Sequence, residues 1–154
     1  MLRELIEKDL FEICDEPVEW EEAIRISMAP LVRQGAVTQE YAGTVIQNVK
    51  RFGPYIAVTP GVALPHAKDD CHVLHTAVCF VKFNHPVCFD ETDAEKTASL
   101  FFAMSAEDEP RHLRNLKALT EECLKDGALI RRLCAAKTRE EILAALAGGS
   151  REKI

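Results

Sequence analysis

One histidine follows a proline in the stretch TPGVALPHAKDD, Thr59 to Asp70. The imidazole of His66 titrates near neutrality, so at pH 7 one ring nitrogen is free to act as base, metal ligand or nucleophile. Pro65 restrains the backbone before it, and Ala63 and Ala67 leave its surroundings uncrowded. His112 is the second candidate. Pro110 suits the first turn of a helix, which places His112 just inside a helix start, beside unpaired N–H groups and the positive end of the dipole. Such an end attracts anions, although Glu107, Asp108 and Glu109 compete for the same N–H groups. Lys50 and Arg51, sixteen and fifteen residues before His66, close another helix. There they compensate the dipole, or, if the chain folds back onto His66, neutralise a phosphoryl group. Spacing alone leaves His66 open between scaffold and chemistry.

The metal reading would draw on His66, Cys71, His72, His75 and Cys79. On a strand, His75 and Cys79 share a face but stand roughly 13 Å apart, too far for one ion, and the usual paired ligand spacings are missing. The chain also lacks a P-loop, a G-x-G-x-x-G and a G-x-S-x-G. No metal or cofactor is therefore expected, and any phosphate must come from a phosphorylated donor. Six cysteines, at 14, 71, 79, 88, 123 and 134, form no dense framework and read mostly as reduced core thiols.

These residues need a scaffold. The 154 residues, 47% apolar with charge spread throughout, suit a single domain over 1–154 with 148–154 as a frayed tail. Nineteen basic against 25 acidic residues, net charge −6, and no basic tract interleaved with aromatics argue against a nucleic-acid partner. The acid-bearing N-terminus is not a secretory signal and no apolar run approaches a membrane span, so a soluble cytoplasmic protein without membrane insertion is expected.

VEWEEAIRISMAPLVRQG carries apolar residues at three-and-four spacing and reads as a helix that Pro30 should kink or split, with Gly35 as its stop. VTQEYAGTVIQNVKRFG reads as a second, capped by Thr38 and closed by Gly53. YIAV and VALPH are short extended segments around the turn Thr59-Pro60-Gly61. HTAVCFVKF and TASLFFAM are buried strands, and NHPVCFDETDAEK between them holds one more short strand before an acidic turn. The remainder is helical, with Thr138 and Glu141 in capping-box spacing. The pattern predicts an α/β fold: a mixed sheet of four to five strands with helices on both sides.

GPYIAVTPGVALPHA, Gly53 to Ala67, resembles the active-site segment of enzyme IIA domains of the bacterial sugar phosphotransferase system, in the mannitol–fructose (type-2) superfamily and closest to its ascorbate-type branch. The likeness extends through EEAIRISMAPLVRQGAVTQEYAGTVIQNV and HLRNLKALTEECLKDGALIRRLCAAKTREEILAAL. It implies a phosphotransferase in which His66 accepts phosphate from the phosphohistidine of HPr and passes it to a cysteine of a cognate enzyme IIB. The membrane enzyme IIC then takes up and phosphorylates a sugar or sugar acid. It further implies that His112 lies beside His66 and stabilises the phosphate. Mannitol-type members carry an arginine where this chain has Lys50, which keeps the charge without the bidentate fork. A regulatory phosphorylation sensor acting by protein binding is the alternative.

Overall fold

A computed structural model describes residues 1–68 and 71–152. Strands β1 (Phe11–Cys14), β2 (Ala57–Thr59), β3 (Gly61–Ala63), β4 (Ala77–Cys88) and β5 (Thr97–Ser105) form one sheet in the order β1-β4-β5-β3-β2. β1 runs parallel to β4 and β3 parallel to β5, while β4/β5 and β2/β3 are antiparallel. Helices α1 (Leu2–Glu7), α2 (Trp20–Arg33), α3 (Tyr41–Phe52), α4 (Glu109–Leu119), α5 (Gly127–Ala135) and α6 (Arg139–Glu152) cover it, with a π-helical turn at Thr120–Leu124 after α4. This is the α/β single-domain architecture expected from the pattern of elements.

The sheet alternation explains the two-sided cover. Phe80, Leu100, Phe102 and Val62 point to one face and pack against α1, α4, α5 and α6 through Ile6, Leu119, Leu133 and Ile142. Phe80 and Phe102 stack there at 4.7 Å. The residues between them in sequence turn the other way. Cys79 and Ala103 meet Ile24, Met28, Val45 and Ile46 of α2 and α3, while Val81, Phe83, Phe101 and Ala63 form the adjoining cluster under Ala23. Strands apolar on both faces require helices on both, because either face left wet would forfeit most of its burial energy.

Three local expectations need correction. α2 continues through the buried Pro30 without splitting. α3 starts at Tyr41 with Glu40, not Thr38, in the cap position; Thr38 instead offers its carbonyl to the Tyr41 N–H at 3.2 Å. The segment after HTAVCFVKF is no separate strand but the far half of β4. Register with β5 jumps between Lys82 and Val87, and Pro86, which has no N–H to give a ladder, sits in the bulge. The backbone of α6 runs helical to Glu152, and residues 153 and 154 lie outside the described residues.

Gly53 does close α3, at φ +85, and Thr138 caps α6 by accepting the Glu141 N–H at 3.1 Å. Only Cys79 and Cys123 of the six cysteines are buried, and burial pushes both thiols up to about 12. Cys71 and Cys88 are exposed rather than core residues.

Candidate active site

The parallel pair β3/β5 determines where the site forms. Both strands deliver their carboxyl ends to the same edge of the sheet, the usual ligand-binding edge of open α/β sheets. β3 runs directly into Leu64-Pro65-His66, and β5 runs through Ala106 and Glu107 into α4. His66 and His112, 46 positions apart in the chain, thus meet: their rings stack at 5.3 Å with an interplanar angle of 30°.

The backbone around His66 is held from three sides. Leu64 donates its N–H to Ile56 at 2.8 Å, and the Pro65 carbonyl accepts the Met104 N–H at 2.9 Å, so the loop stays tied to β2 and β5. The hydroxyl of the fully buried Tyr41 donates to the Met104 carbonyl at 2.8 Å and accepts the Ala67 N–H at 3.1 Å. The Tyr55 hydroxyl donates to the His66 carbonyl at 2.5 Å, and its ring meets the imidazole edge-on at 5.4 Å. Burial raises the Tyr55 phenol above its ordinary value, with a hydrogen bond to Asn48 opposing. Leu64 gives its N–H to Ile56 and Pro65 has none to give, so neither offers a backbone donor to a group on His66.

The ring itself is oriented. Its Nδ1 lies 2.5 Å from the Leu64 carbonyl, an acceptor only, so Nδ1 carries the proton and donates. The Nε2 lone pair is then the one available for bonding. Burial is the main cause that holds the His66 pKa below the usual imidazole value, with the His112 charge adding to it; the Leu64 carbonyl and Glu109 oppose. The ring is therefore neutral at pH 7, as a nucleophile must be.

The surrounding pocket, about 810 Å³, is lined by Tyr41, Asn48, Phe52, Tyr55, His66, Ala67, Lys68, Met104, Ala106, Glu107, Asp108, Glu109 and His112. Competition at the start of α4 is real: the Asp108 carboxylate caps the helix by accepting the Arg111 N–H at 2.9 Å. Glu107 turns to the Thr76 N–H at 3.0 Å. Asp69 and Asp70 lie outside the described residues.

Lys50 is not brought to this pocket. Its ammonium pairs with Glu21 of α2 at 3.3 Å. The reason is angular. At about 100° per residue, Tyr41, Asn48 and Phe52 fall within about 20° of one line on α3, and Lys50 falls on the opposite side. The Tyr41 line faces His66, so Lys50 faces away. Arg51 also stays outside, with its guanidinium 5.2 Å over the Phe52 ring. Tyr41, Asn48 and Tyr55 are site residues that no sequence motif marks. The one available signal was the 41-48-52 spacing, which marks a stripe at the border of the buried face.

A family model described as "Phosphoenolpyruvate-dependent sugar phosphotransferase system, EIIA 2" matches residues 4–148. The chain belongs to this type-2 enzyme IIA family. It is therefore a phosphotransferase component of a sugar phosphotransferase system. Among relatives of this enzyme IIA, the mannitol-specific cryptic phosphotransferase enzyme IIA component of Escherichia coli is 29% identical over 122 residues, 79% of this chain and 82% of that protein. The ascorbate-specific EIIA component of Salmonella choleraesuis is 28% identical over 139 residues, 90% of each chain. The Escherichia coli mannitol enzyme IIA, solved in complex with phosphorylated enzyme IIB, superposes with a TM-score of 0.72 at 27% identity, covering 89% of this chain and 94% of that one. Among the described residues no helix is long and apolar enough to cross a membrane.

Proposed function

We propose that His66 is the phosphoryl acceptor and donor of this enzyme IIA. The observation that carries the reading is the Leu64 carbonyl on Nδ1, which leaves Nε2 as the nucleophile beside His112. Nε2 attacks the phosphorus of a phosphohistidine on the carrier HPr in line; the new N–P bond forms as the old one breaks, and the electron pair returns to the donor's ring nitrogen. The transition state is loose, so positioning and charge neutralisation matter more than proton transfer. The product ring keeps its Nδ1 proton and carries positive charge, which the Leu64 carbonyl stabilises. That charge also makes His66 a good leaving group toward the thiolate of an enzyme IIB. His112 donates to a phosphoryl oxygen throughout.

Lys50, paired with Glu21, has no part in this reading. The partners are phospho-HPr, a cognate enzyme IIB and, through it, the membrane enzyme IIC, and the setting is the cytoplasm. The complex solved for the mannitol relative supports a IIB partner. The ascorbate-specific relative, matched over 90% of both chains, supports ascorbate or a similar sugar acid as the transported substrate. Incubation with phosphoenolpyruvate, enzyme I and HPr, read by intact mass, tests the claim. One acid-labile phosphoryl group is expected, lost in H66Q and discharged by an ascorbate-type IIB. Labelling that persists in H66Q refutes it. Phosphorylation without discharge to any IIB would favour the regulatory sensor.

A further inference from the structure

A phosphoryl group on His66 enters a pocket with three carboxylates in its lining, Glu107, Asp108 and Glu109. Bringing a dianion there needs a cation close to the phosphorus. We propose that Lys68 is that cation and serves as a catalytic residue, an inference that rests on His66 being the phosphoryl site.

The other nearby cations are engaged elsewhere. Lys50 pairs with Glu21 on the far side of α3. Arg51 lies over the Phe52 ring. Arg111 is held by two carboxylates of the rim, Asp108 at 3.1 Å and Glu107 at 3.5 Å. Lys68 alone among the described lysines and arginines lines the pocket, two residues after His66 and on the same loop. Tyr41 anchors that loop at Ala67, between the two, so the lysine's origin is fixed relative to the imidazole.

The chemistry suits the residue. The Lys68 side chain is exposed, so its flexible stem can swing the ammonium onto the phosphoryl oxygens when they arrive. A flexible point charge can follow the group from donor to His66 and on to the next acceptor. An arginine fork locked on two oxygens would favour one of those positions. The rim carboxylates then have a role too, since they repel a free phosphate and leave Lys68 to stabilise only the group carried in by a partner.

The test compares K68Q, K68R, K50A and the unaltered chain. Each is phosphorylated two ways: by phospho-HPr, and by phosphoramidate, a small donor with no docking surface. K68Q is expected to slow acceptance from both donors by about tenfold or more, the loss tied to one charge-assisted hydrogen bond. K68R should recover most of it, and K50A should stay within twofold of the unaltered rate. In the phosphorylated protein, the phosphorus resonance of K68Q should titrate at a higher pH, because the lysine no longer favours the dianion. That shift does not depend on any partner. Equal rates for K68Q and the unaltered chain overturn the proposal, as does a K68Q defect seen only with phospho-HPr, or a K50A defect as large as that of K68Q. No phosphorylation of the unaltered chain by either donor overturns the His66 reading itself.

Discussion

Replacing Tyr41 by phenylalanine removes one oxygen atom and tests whether the tether of the His66 loop matters. The hydroxyl is fully buried and serves two backbone groups, the Met104 carbonyl at 2.8 Å and the Ala67 N–H at 3.1 Å. Each buried polar group left without a partner costs about 1–3 kcal/mol, while the retained phenyl ring keeps its packing and sheds the desolvation of the phenol. The balance is about 2 kcal/mol of lost stability. For a domain of 154 residues this lowers the melting temperature by about 4–8 °C. Urea unfolding at neutral pH gives the free energy, and amide exchange at Ala67 should speed up by more than that of residues in β4. Because the loop positions Nε2, acceptance of phosphate should fall by roughly ten- to a hundredfold, as displacements near one ångström do. Y41F with an unchanged midpoint and an unchanged rate would show that the loop is held elsewhere and refute the reasoning.

Gly61 has φ +90, and a Cβ there would meet Cys134 Sγ at 3.2 Å; G61A should lose about 1–3 kcal/mol, and the double variant G61A/C134A should recover only the steric part. The pH response of stability follows from the depressed His66 pKa. Above about 6.5, the unfolded value, both states are neutral at this site and it contributes nothing. Below it the unfolded chain binds the proton first, so stability declines until the pH has passed the folded value, and H66Q should flatten that decline in urea midpoints taken between neutral and mildly acidic pH. The same shift should keep the rate of phosphate acceptance level down past the ordinary histidine midpoint; a rate that halves at that midpoint would contradict it. F102A removes a ring stacked on Phe80 in the core and should cost about 3–5 kcal/mol by chemical denaturation.

The sequence showed the helices from α2 onward and the two long strands, because amphipathic spacing and apolar runs are local signals. It did not show β1. FEIC is four residues long with an acid in the middle, and it becomes a strand only by pairing with β4, where Phe11 meets Phe80. Nor could it separate one bulged β4 from two strands, since the apolar pattern on either side of Pro86 is the same in both cases. His66 and His112 were readable as residue types, and their meeting required the β3/β5 pairing. Lys50 shows the limit most plainly. Distance along the chain says that it can reach His66, whereas helical phase relative to Tyr41 says that it cannot, and which phase faces the site is decided by tertiary contacts. Tyr41 and Tyr55 act on backbone carbonyls and amides, which leave no trace in a motif.

Strand direction also has a practical side. β4 ends and β5 begins at the edge of the sheet opposite His66, so the connection from Phe89 to Lys96 lies at the far pole of the molecule from the pocket. The exposed Cys88 stands at that pole. A dye, a tether or a fused domain attached there would ride behind the protein and leave the pocket open to the proposed exchange partners. For the proposed relay through His66, the rear hairpin is the natural handle for watching single exchanges.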